Sequence, residues 1–87
     1  MSAVVALRNL VVELIRLMQK GEIIATRGVY RGIYTQFPNE CSCLGYTPSK
    51  PVEEKWKKDI RFGLQDAKDQ GSVKHSGSQK SGRWERI

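Results

Sequence analysis

The stretch from Pro51 to Arg86 admits few folds. Pro51 opens it, and proline suits a first helical turn because its missing N–H would have no partner there. Glu53 and Glu54 follow, acids at the positive end of a helix dipole. Val52, Trp56, Ile60, Gly63, Leu64 and Ala67 then recur at helical spacing as one apolar stripe. Glu54, Lys55, Lys58, Arg61, Phe62 and Gln65 fall on the opposite face. Gly71, after Asp69 and Gln70, supplies a stop, so the spacing predicts a helix over 51–70. Ser72 to His75 and Arg83 to Arg86 read as two short strands joined by a Gly/Ser/Lys tip that holds no acid. Val73 and Trp84 are the expected inward side chains; Phe62, off the stripe, is placed either beneath this hairpin or, in a protein-interaction module, exposed as part of the contact.

A helix followed at once by a basic hairpin is how a winged helix-turn-helix ends, with the last helix in the major groove and the wing on the backbone. The chain before it must supply two helices and a short strand. Residues 3–19 predict the first helix: Val4, Leu7, Val11, Leu14, Ile15 and Met18 share a stripe, Leu10 and Leu17 edge it, and Gly21 ends it. This stripe reads as core, with a partner or dimer surface as its rival. Ile23-Ile24 is β-branched and fits the small strand that pairs with a wing. Thr26 is an expected N-cap for a helix over 27–36, whose face is Tyr30, Ile33, Tyr34 and Phe37. Gly28 and Gly32 weaken that helix, but their spacing would let a neighbouring helix approach. Residues 38–50 hold Pro38, Asn39, Gly45, Pro48 and Ser49 and read as a connecting loop. The expected fold is therefore α+β: one winged-helix domain over 1–87, with three helices, a short strand and a two-stranded wing over about 72–87.

The chain of 87 residues carries a net charge of +6, and ten of its fifteen Lys and Arg residues lie between Lys50 and Arg86. That bias favours a polyanionic partner, most simply nucleic acid. No apolar run is long enough to span a bilayer, and the first residues are too brief an apolar run for a signal peptide. Cys41 and Cys43 lie too close for an ordinary disulfide, which fits a reducing compartment, so an intracellular, cytoplasmic protein is expected. The two cysteines and His75 fall short of four zinc ligands, and no metal or cofactor is expected. The carboxylates sit beside lysines and no histidine pair or phosphate loop occurs, so no enzymatic activity is expected within these residues.

Lys55-Trp56-Lys57-Lys58-Asp59-Ile60-Arg61-Phe62-Gly63-Leu64-Gln65-Asp66-Ala67-Lys68, then Gly71-Ser72-Val73, then Ser81-Gly82-Arg83-Trp84, resembles the N-terminal winged-helix domains of Mrr-like and HNH-type restriction endonucleases. The likeness spans roughly residues 51–86, with weaker support over 26–37. It implies a DNA-reading module attached to a nuclease, often one acting on modified DNA. This chain departs from the pattern at Ser72-Val73, where a more apolar pair is usual, and it carries no nuclease motif.

The expected DNA contacts follow from residue chemistry. Lys55, Lys58, Arg61 and Gln65 face outward on the last helix, where Arg pairs with guanine and Gln with adenine. Lys50 and Lys57 flank it and would meet phosphate. Lys74, His75, Ser76, Ser78, Lys80, Ser81 and Arg83 make a wing able to hold the backbone. The competing reading of both sets is a solvated surface. Trp56 and Trp84 are expected in the core. The expected partner is double-stranded DNA, with a fused nuclease domain and a homodimer as further associations. The rival function is a protein-interaction or dimerisation module that binds no DNA.

Overall fold

The computed structural model describes residues 6–48, 52–77 and 82–87. Four helices and a small three-stranded antiparallel sheet follow in the order α1 (Leu7–Leu17), β1 (Ile23–Ala25), α2 (Thr26–Gln36), α3 (Pro38–Leu44), α4 (Glu54–Asp69), β2 (Val73–His75) and β3 (Arg83–Arg86). The class is α+β.

Helix α1 buries Leu7, Leu10, Val11, Leu14 and Ile15, the helical spacing of its stripe. Leu17 is left in solvent. The helix ends earlier than residue 19: Met18 is already extended, although its side chain stays in the core. Gly21 does not cap it. Its φ of +87° turns the chain toward β1, and its N–H donates to the carbonyl of Arg86 at 2.7 Å.

Helix α4 packs more extensively on α1 than on any other element. Ile60, Gly63, Leu64 and Ala67 are buried along the predicted stripe, with Val52 below the first turn and Trp56 half-buried. Gly71 closes it as predicted: its N–H reaches Lys68 O and that of Ser72 reaches Ala67 O, a Schellman pair of bonds around a left-handed glycine.

Helix α2 turns inward most of the expected face, shifted so that Val29 replaces Tyr34. Val29 and Ile33 are buried, Tyr30 and Phe37 are half-buried, and Tyr34 is exposed. Gly32 sets this rotation by lying against α1, where an added Cβ would stand 3.2 Å from Leu14 Cδ2. Thr26 is the first helical residue and caps nothing; its hydroxyl is engaged by the sheet.

The expected loop after Pro38 contains a fourth helix, so the three-helix count is corrected to four. Pro38 occupies its first turn, where proline is tolerated, and left-handed Gly45 ends it. Gly45 N–H donates to Ser42 O and Tyr46 N–H to Cys41 O. This turn buries Tyr46, whose hydroxyl donates to Tyr30 O at 3.0 Å and whose ring meets Trp56 edge-on at 5.5 Å.

The sheet order is β1-β3-β2. Ile24 pairs with Trp84, and Trp84 with His75, so these three share the inner face with buried Val73. Ile23, Lys74, Arg83 and Glu85 share the outer one. Among the described residues no helix is long and apolar enough to cross a membrane.

Candidate nucleic-acid interface

Helix α4 lays its apolar stripe on α1, which forces its other face into solvent. Lys58, Arg61, Phe62 and Gln65 are all exposed there, three or four residues apart. Lys58 and Arg61 make no ion pair among the described residues. The other expected contacts on this helix are engaged. Lys55 Nζ lies 3.6 Å from Glu53 and 4.6 Å from the Trp56 ring centre. Lys57 Nζ lies 3.5 Å from Glu54. Gln65 Nε2 donates to Asp69 Oδ1 at 2.8 Å, an i,i+4 bond that takes one of its two amide N–H groups.

Phe62 is not beneath the hairpin. Its ring is exposed between two cations, with the Arg8 guanidinium carbon 5.4 Å and Lys58 Nζ 5.8 Å from its centre. Arg8 comes from α1 and is held by two 2.9 Å bonds to Asp66. The bond from Arg8 holds the Asp66 carboxyl below its ordinary pKa, and the same contact pushes Arg8 up. Asp66 is therefore paired with Arg8 and not with Arg61. Sequence spacing did not point to Arg8, because the two residues stand 58 positions apart.

On the hairpin, Lys74 and Arg83 are exposed on the outer sheet face, and Lys74 Nζ lies 3.9 Å from Glu85. Ser76 N–H donates to Arg83 O at 2.9 Å and continues the ladder past β2. His75 turns inward instead: its ring lies 4.1 Å from that of Trp84, and Nδ1 is buried without a hydrogen-bond partner among the described residues. Lys50, Ser78, Lys80 and Ser81 fall outside the described residues.

The hairpin is tied to α2 through Thr26. Gly82 O accepts from Thr26 N at 2.8 Å and from Thr26 Oγ1 at 3.1 Å, while Trp84 Nε1 donates to the same hydroxyl at 3.3 Å. Cys41 is buried with Sγ 3.6 Å from Ile33 O, and burial pushes its thiol pKa up; Cys43 is exposed. Among the described residues no three His, Cys, Asp or Glu side chains converge on a possible metal position.

The outward face of α4 thus holds Lys58 and Arg61, neither in an ion pair among the described residues, and the exposed Phe62 ring, with a basic hairpin directly after it. Compared with protein-family models, curated proteins and solved structures, the chain matches none.

Proposed function

We propose that this chain is a winged helix-turn-helix domain that binds double-stranded DNA, with α4 in the major groove and the β2–β3 wing on the backbone. The observation that carries the reading is the pair Lys58 and Arg61, exposed and without carboxylate partners among the described residues, on a helix that runs directly into a hairpin. Such cations would meet phosphates and guanine edges. The element order and the β1-β3-β2 sheet support the winged-helix assignment, with α3 standing where a minimal helix-turn-helix has only a turn. On its resemblance to restriction-endonuclease N-termini, the domain is the recognition module of such an enzyme, one acting on modified DNA. Cleavage then belongs to a fused nuclease domain. Titration of a labelled duplex at low salt tests the reading: saturable binding is expected, and none would sink it.

A protein-contact or homodimerisation role is the second reading, and a different surface favours it. Ile23 and Ile87 are both exposed; Ile23 pairs with Glu85 on the outer sheet face, and Ile87 follows β3 directly. Concentration-dependent self-association without DNA affinity would select this reading.

A further inference from the structure

On the exposed face of α4, Lys58 and Arg61 are the side chains able to read guanine edges by hydrogen bonds. Gln65, the side chain suited to adenine, has one amide N–H on Asp69. Phe62 is different. It is 44% exposed, and it is a large apolar group on a face that otherwise holds Glu54, Lys58, Arg61, Gln65 and Asp69. The other exposed large hydrophobics, Leu17, Ile23, Tyr34 and Ile87, are not on this helix. A protein-docking patch would cluster apolar neighbours around the ring. Here the neighbours are cations, with Arg8 and Lys58 beside the ring and Arg61 next in sequence. Asp66 offsets the charge of Arg8, so Lys58 and Arg61 are what make this surround complementary to a polyanion.

In the major groove, the apolar group that a base edge presents is the C5 methyl of thymine, and 5-methylcytosine carries the same group. We infer that Phe62 is a specificity-determining contact whose ring packs on a pyrimidine C5 methyl, while Lys58 faces a flanking phosphate. The inference rests on the DNA-binding reading above and adds the group that is read. Arg8 acts as a positioning residue here, since its two bonds to Asp66 fix the guanidinium against the ring.

The test uses alternating duplex polymers, which present every register and need no known site. The whole chain is titrated with the adenine–thymine polymer and its adenine–uracil counterpart, then with the guanine–cytosine polymer and its 5-methylcytosine counterpart. Burial of one methyl group predicts about three- to four-fold tighter binding to the methylated member. Phe62→Ala brings that ratio to one, and Phe62→Leu, which keeps an apolar side chain, retains a ratio above one. Circular dichroism checks that both variants fold. Preference in one pair assigns the methyl source to that base, and preference in both assigns the methyl group generally. Duplex binding with a ratio of one in both pairs overturns this inference alone, as does a ratio that survives Phe62→Ala. Tighter binding to single-stranded polythymidine, lost in Phe62→Ala, would make the ring a stacking platform and overturn it too. No duplex binding at all overturns it together with the DNA-binding reading.

Discussion

Gly63 of α4 lies so close to Val11 of α1 that a β-carbon on Gly63 would stand 2.5 Å from Val11 Cβ, and 2.7 Å from the backbone oxygen of Arg8. The two helices cross at a point where only hydrogen fits. This crossing sets the rotation of α4, and so decides that Lys58, Arg61 and Phe62 face solvent.

Gly63→Ala is therefore destabilising, although alanine is the better helix former by about 1 kcal/mol. Overpacking typically costs about 1–3 kcal/mol, and here one clashing atom is backbone, which cannot rotate away. Urea denaturation should show a lower midpoint at an unchanged slope. A midpoint at or above that of the parent would mean that the helices are not in this contact.

Thr26→Val keeps the side-chain shape and removes the hydroxyl that joins Gly82 O and the Trp84 indole. One lost hydrogen bond of this kind is worth about 1 kcal/mol. Hydrogen exchange at the Trp84 indole N–H should accelerate while α1 amides change little. Unchanged indole exchange would separate the hairpin from α2.

Tyr46 is buried, and burial pushes its phenol up to about 12 from an ordinary value of 10. The folded form therefore holds its proton where the unfolded chain has released it. The stability from this group is complete below the unfolded value and is lost as pH rises through that window. Alkaline titration followed by tyrosinate absorbance should show a late step that Tyr46→Phe abolishes. Tyr46→Phe also removes the bond to the Tyr30 carbonyl and should lower stability by about 1 kcal/mol. A late step that persists in the variant would contradict the burial of this ring.

These residues mark what the sequence made legible. The stripe of α4 was readable because its buried positions keep one helical face over four turns, and the closing Gly71 is local chemistry. The pairing of Ile23-Ile24 with the hairpin followed from its β-branched character. Helix α3 was missed although Pro38 and Gly45 bracket it, because seven residues with Cys41 as the buried position make no periodic stripe. Thr26 was misread as a cap because its partners lie 56 and 58 residues away, which no local pattern specifies. The same holds for Phe62, whose surroundings depend on Arg8 from another helix. Exposure on α4 could be read from spacing; which of its polar groups are occupied could not.

Lys58 and Arg61 carry the next expectation. Lys58→Glu and Arg61→Glu should each weaken duplex binding and leave the thermal midpoint nearly unchanged, since both side chains are exposed. Arg16→Glu on α1, where Arg16 already pairs with Glu13, serves as the comparison and should weaken binding less. Equal effects at all three positions would reduce the interaction to net charge alone.

The most direct measurement is the affinity of the chain for a labelled DNA duplex across a series of salt concentrations, alongside Lys58→Glu. Phosphate contacts by the exposed face of α4 predict a linear fall of log affinity with log salt, as counterions leave each contacted phosphate, and a slope shallower by about one in the variant if Lys58 meets a phosphate. No duplex binding at low salt, or binding that salt does not weaken, would contradict the DNA-binding reading.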